Sequence, residues 1–150
     1  MKYIEEDSNH DGCPFCRAYS ESEDQENLVI FRGENAFVML NRYPYTTGHL
    51  LILPVLHQET LSELDQDTRA EMMELIKRGG DTLQAVYHPE GMNVGLNLGA
   101  AAGAGIPKHL HWHIVPRWMG DTNYMTTVGG VRVLPEALED TYQKVLTSWQ

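Results

Sequence analysis

Three histidines at alternate positions, in the run His109-Leu110-His111-Trp112-His113-Ile114-Val115, constrain the local fold more tightly than any other feature of this chain. Side chains alternate faces along a strand, so a strand here puts His109, His111 and His113 on one face and Leu110, Trp112 and Ile114 on the other. Neighbouring imidazoles on that face start roughly 7 Å apart. Two chemistries use such a row: a metal site built from His-x-His, or a nucleophile with supporting imidazoles.

The flanking sequence supplies the rest of a sheet. Leu28 to Phe31, Ala36 to Leu40 and Leu50 to Leu53 are short β-favouring runs separated by turn chemistry at Gly33-Glu34-Asn35 and Pro44 to Gly48, which predicts a three-strand meander. Met92 to Leu98 and Leu110 to Val115 alternate like two further strands. Between the meander and these strands, Asp65 or Asp67 caps a helix whose apolar positions Met72, Met73, Leu75, Ile76, Leu83 and Val86 follow a 3.6-residue period and which ends before Pro89. Gly79 and Gly80 inside it cost about 1 kcal/mol each relative to Ala, which points to close packing against the sheet. Pro135 opens a last amphipathic helix through Trp149, with Leu138, Tyr142, Val145 and Leu146 on one side. Met1 to Asn27, rich in Asp, Glu, Ser and Asn, reads as irregular structure around a short knuckle at Gly12-Cys13-Pro14-Phe15-Cys16. The expected product is an α+β fold in one domain, residues 1–150, with an antiparallel sheet of about five strands and two main helices.

Eleven Lys and Arg against 21 Asp and Glu give a net charge of −10, the wrong sign for gripping a nucleic-acid backbone. A small anionic substrate is still allowed, because local donors set the field at a site more than net charge does. No apolar run approaches the roughly 20 residues that span a bilayer, and Met1 to Gly12 lacks the basic and apolar regions of a signal peptide, so a cytoplasmic protein without a membrane partner is expected.

Cys13 and Cys16 are the two cysteines of the chain. In a reducing compartment their spacing suits metal binding, with a redox couple or a buried apolar pair as the alternatives. Two thiolates leave zinc two ligands short, so one triad His and one distant His would close a tetrahedral site and leave the other imidazoles for catalysis. Gly99 to Gly105, made only of Gly and Ala, is a loop whose backbone amides can approach a ligand closely.

Here the sequence resembles the histidine-triad family, whose signature alternates three His with apolar residues and ends in two apolar positions; His109 to Val115 fits throughout. The likeness runs from about Gly12 to Arg117, through Cys13-x-x-Cys16, Phe37 to Asn41 and Gly48-His49-Leu50-Leu51-Ile52-Leu53-Pro54-Val55-Leu56-His57. It implies a structural zinc on Cys13, Cys16, His57 and His109. It makes His111 the nucleophile that attacks phosphorus to form a nucleotidyl-histidine, with its second ring nitrogen held by a backbone carbonyl, and His113 a hydrogen-bonding group beside the phosphate and leaving group. Asn41 falls where the family contacts the nucleoside sugar, and Asn97 where it contacts the phosphate region. Where many relatives carry Gly-Gln-Ser or Gly-Gln-Thr, this chain has Gly103-Ala104-Gly105-Ile106-Pro107-Lys108, so amides at Gly103 and Gly105 and the Lys108 ammonium are the expected substitutes.

Val115 to Tyr124 and Leu40 to Tyr45 look like a bacterial subset of the family that acts as diadenosine tetraphosphate phosphorylases. The resemblance therefore implies a nucleotide or dinucleoside polyphosphate as substrate, phosphate or water as acceptor, a divalent cation accompanying the nucleotide phosphates, and a homodimer. The alternatives it carries are hydrolysis of dinucleoside polyphosphates or nucleoside phosphoramidates, and a zinc-stabilised nucleotide-binding module without catalysis.

Overall fold

The structure, a computed structural model, describes residues 12–130 and 134–150. The chain runs α1 (Pro14–Ser20), α2 (Asp24–Asn27), β1 (Val29–Arg32), β2 (Ala36–Leu40), β3 (Leu50–Pro54), α3 (Gln66–Tyr87), β4 (Gly91–Leu96), a 3-10 turn (Ala100–Ala102), β5 (Trp112–Arg117), α4 (Tyr124–Thr127) and α5 (Leu138–Ser148). The five strands form one antiparallel sheet in the order β1-β2-β3-β5-β4. The meander and both long helices expected from the sequence are present. The expected irregular N-terminal segment holds two short helices from Pro14 onward. The reading of residues 1–11 lies outside the described residues.

β2 and β3 are buried along their whole length, because both faces of the sheet are covered. On one face α3 and α5 pack against Leu28, Ile30, Val38, Leu40, Leu50, Ile52 and Ile114. On the other, Phe15 and Ala18 of α1 meet Val29, Phe37, Met39, Leu51 and Leu53. Asp65 caps α3 by accepting from the Thr68 amide at 2.7 Å, which satisfies one of the helix's orphan donors. Gly79 is buried where α3 crosses the sheet: a Cβ there would lie 2.9 Å from Ile114 Cδ1 and 3.2 Å from Leu50 Cδ1. The close packing expected of the Gly pair therefore belongs to Gly79, since a Cβ at Gly80 meets only Met92 Sδ at 3.8 Å.

Two boundaries differ from expectation. The last helix starts at Leu138 instead of Pro135, with Ala137 as its N-cap, and Leu146 is turned outward while Tyr142 and Val145 are buried. The triad strand enters the sheet at Trp112 instead of Leu110. Extending the β3–β5 pairing would bring Pro54 opposite Leu110; Pro54 has no N–H to donate, and its carbonyl bonds His109 Nε2 at 3.0 Å. Leu110 pairs its own amide with Gln58 O at 2.7 Å, so the ladder stops and His109 to His111 lead into the strand as an irregular segment. Among the described residues no helix is long and apolar enough to cross a membrane.

Candidate active site and metal centre

The knuckle at the start of α1 brings Cys13 and Cys16 against the segment before β5. Cys13 Sγ lies 3.4 Å and Cys16 Sγ 3.5 Å from His109 Nδ1, and Cys16 Sγ lies 3.2 Å from His57 Nδ1. All four ligand atoms of Cys13, Cys16, His57 and His109 fall within 4.8 Å of one another. Tetrahedral zinc with ordinary Zn–S and Zn–N bonds separates its sulfur and nitrogen ligands by roughly 3.6 Å. The His109 ring is set for this role, because its bond to the Pro54 carbonyl requires the proton on Nε2 and leaves the Nδ1 lone pair toward the thiols. Two thiolates and two imidazoles are a closed donor set that suits zinc, so the geometry supports a structural metal at these residues.

The same segment orients His111. Its Nδ1 lies 2.7 Å from the backbone carbonyl of His109; a carbonyl only accepts, so Nδ1 carries the proton and Nε2 keeps its lone pair. The ring is buried with Phe15 against it at 5.1 Å between centroids. Burial pushes the His111 pKa below its usual value, opposed by the bond to the His109 carbonyl. The imidazole is therefore neutral at pH 7, as a nitrogen nucleophile must be.

His113 is fixed by a chain of hydrogen bonds that starts at the backbone. The Tyr45 amide donates to His49 Nδ1 at 3.1 Å, which forces the His49 proton onto Nε2. His49 Nε2 then donates to His113 Nδ1 at 2.8 Å, which forces the His113 proton onto its own Nε2. That N–H is buried and has no partner among the described residues. Burial first, and the neighbouring His111 second, lower the His113 pKa to about 4. His113 is thus a neutral imidazole with one oriented donor, its ring 5.0 Å from that of His111 and stacked under Tyr45 at 6.0 Å.

His49, fully buried, was not assigned a role from the sequence. The signal lay in β3: Leu51 pairs with His113, and His49, two residues earlier, shares the face of Leu51.

Beside His113 opens a cavity of about 530 Å³ that continues along β4 and β5 to Arg117 and is also lined by Asn97. The other expected substrate contacts are placed differently. Asn41 accepts from the Tyr43 amide at 2.9 Å and lies 3.4 Å from His49 Nδ1, lining a smaller cavity. The Gly103 amide donates to Ala100 O at 3.0 Å, closing the turn of its own loop. Gly103, Gly105 and Lys108 are exposed and do not line the larger cavity.

An antiparallel sheet with an oriented, neutral histidine pair on one face, braced by a cysteine–histidine cluster, defines the class of the histidine-triad proteins. The HIT domain model matches residues 22–119, and the chain belongs to this family of nucleotide-processing proteins. It is 42% identical over 126 residues to the AP-4-A phosphorylase of Mycobacterium tuberculosis, covering 84% of this chain and 65% of that protein; the chain thus spans just under two thirds of that relative. Among solved structures it is similar to a zinc-bound histidine triad family protein from Mycobacterium smegmatis, at 27% identity and a TM-score of 0.72 over 92% of this chain and 93% of that one. A hypothetical histidine triad nucleotide-binding protein from Sulfolobus tokodaii is similar at 28% identity and a TM-score of 0.70, over 91% and 88% of the two chains.

Proposed function

We propose that the chain transfers a nucleotidyl group through His111, and that its reaction is phosphorolysis of diadenosine tetraphosphate to ATP and ADP. The observation that carries this is the bond from His111 Nδ1 to the His109 carbonyl, which leaves a neutral imidazole with a free Nε2 lone pair. In the first step Nε2 attacks the α-phosphorus, an N–P bond forms, and the P–O bond to the rest of the dinucleotide breaks, its electron pair leaving on ATP. The resulting imidazolium is held through Nδ1–H by the His109 carbonyl. In the second step an oxygen of inorganic phosphate attacks the same phosphorus, the N–P bond breaks, and ADP leaves while His111 regains its lone pair. No proton has to move in either step. His113 Nε2–H supplies an oriented donor for the charge that develops on the phosphoryl oxygens, and Asn97, which lines the same cavity, would assist.

The choice of substrate is supported by the 42% identical phosphorylase. Cys13, Cys16, His57 and His109 would hold a structural zinc that pins α1 to the sheet, a reading supported by the cluster geometry and the zinc-bound relative. A divalent cation accompanying the nucleotide phosphates is part of the same reading. A cytoplasmic homodimer completes the proposal.

The test is to incubate the protein with diadenosine tetraphosphate, with and without inorganic phosphate, and to identify the products. ATP plus ADP only in the presence of phosphate is expected. Paired ADP, or ATP plus AMP, without phosphate would make water the acceptor and refute phosphorolysis.

A further inference from the structure

The edge strand β4 has a glycine where a strand-forming residue is expected. Gly95 pairs with His113 in an uninterrupted register, between Val94 opposite Ile114 and Leu96 opposite Trp112, so no bulge calls for it. Its φ is not in the left-handed region, and a Cβ built on it meets no atom within 4 Å, so neither backbone strain nor tight packing calls for it. A glycine inside a strand costs roughly 0.5–1 kcal/mol in backbone entropy and forgoes a cross-strand contact with the imidazole opposite. With bulge, strain and packing removed, the remaining reason for a strand glycine is close approach of something outside the chain.

The space it leaves belongs to the cavity of about 530 Å³ between His113 and Arg117. Those two residues stand four positions apart on β5, or about 13 Å along the strand. The lining mixes the apolar Val94, Leu96 and Val115 with polar groups, and its cation is neutralised: Arg117 is held by both oxygens of Asp121 at 2.6 and 2.7 Å. The hydroxyls of Thr46, Thr126 and Thr127 donate to the carbonyls of Pro116, Asn123 and Asn123. Thr126 Oγ1 already accepts from the Asn123 amide at 3.0 Å, and the oxygens of Thr46 and Thr127 offer lone pairs, which accept from sugar O–H and base N–H groups and are poor partners for phosphate oxygens. Asn93 Oδ1 accepts from Arg117, leaving its amide N–H groups to donate.

We propose that this groove holds the distal nucleoside of the dinucleoside polyphosphate, the half that leaves when His111 attacks, and that Gly95 sets its width. The inference rests on the nucleotidyl-transfer reading above and adds where the leaving half lies and which residue admits it. Gly95→Val tests it, since valine favours a strand and meets no protein atom at its Cβ. Gly95→Ala gives the intermediate step.

The readout is kcat/KM for diadenosine tetraphosphate divided by kcat/KM for adenosine 5′-phosphoramidate, which carries the same adenylyl group and a very small leaving group. The ratio is expected to fall about tenfold or more in Gly95→Val and less in Gly95→Ala, mainly through KM for the dinucleotide. An unchanged ratio, with wild-type turnover intact, would overturn the inference and leave nucleotidyl transfer standing. A change of solution mass in sedimentation with the ratio unchanged would do the same, by giving the gap to a second copy of the chain. A wild-type protein that turns over neither substrate would sink the underlying reading together with the inference.

Discussion

Replacing His49 separates two of its hydrogen-bonding jobs. His49→Phe keeps most of the buried ring volume but removes the acceptor for the Tyr45 amide and the donor for His113 Nδ1, bonds of 3.1 and 2.8 Å. A buried polar group left without its partner costs about 1–3 kcal/mol. Two such groups are affected, and the Tyr45 side can take up water, so the variant is expected to lose about 2–4 kcal/mol of folding stability. His49→Asn places an amide oxygen near where Nδ1 stood, so it can keep the Tyr45 bond but cannot reach His113; its expected loss is about 1–2 kcal/mol. Kinetics should not follow stability. Both variants free the His113 ring, and removing an oriented donor outright costs roughly 100- to 1000-fold in kcat. With His113 still present but unfixed, both should lose about tenfold in kcat. Urea denaturation gives the stabilities, and steady-state turnover of diadenosine tetraphosphate gives the rates. Wild-type kcat in His49→Asn would refute the claim that His49 orients His113.

Other consequences are equally direct. The His113 pKa is lowered from 6.5 to about 4 on folding, so between those values the unfolded chain binds a proton that the folded chain does not. Through this group, stability should fall as pH drops below 6.5 and level off below about 4; an NMR titration of His113 with a midpoint near 6.5 would contradict this. Gly80→Ala should stabilise by about 1 kcal/mol through helix propensity. Gly79→Ala forces its Cβ onto Ile114 and Leu50, and overpacking of about 1–3 kcal/mol should cancel or exceed that gain; equal stabilisation of the two in urea melts would show that α3 does not pack this tightly. Cys13→Ser should remove zinc, lower the melting temperature and reduce kcat, because Phe15 and the His109 carbonyl link the cluster to His111. A variant that loses zinc yet keeps wild-type melting and turnover would separate the two sites.

The parts of the fold governed by local periodicity were legible in the sequence. The short β-favouring apolar run of β2, the 3.6-residue period of α3 and its Asp65 cap each state their own structure. Metal chemistry made the need for two histidines beside Cys13 and Cys16 legible, and the resemblance to the histidine-triad family pointed to His57 and His109. What the sequence hid depends on register and on competing partners. His49 meets His113 only once β3 is aligned with β5, and the Gly103 amide is spent on its own turn. Pro135 reads as a helix start, yet α5 begins three residues later. The late entry of the triad strand turns on the Pro54 carbonyl being taken by a side chain, which no pattern in either segment announces.

The claim at the centre of this account is a covalent nucleotidyl adduct on His111. Protein mixed with excess diadenosine tetraphosphate without phosphate, quenched in alkali within the first turnover and analysed by intact and peptide mass spectrometry, tests it directly. The account predicts one adenylyl group on the peptide carrying His111, discharged as ADP when phosphate is added before the quench, and none in His111→Gln. Turnover without any adduct, or a His111→Gln protein that keeps the wild-type rate, would contradict it.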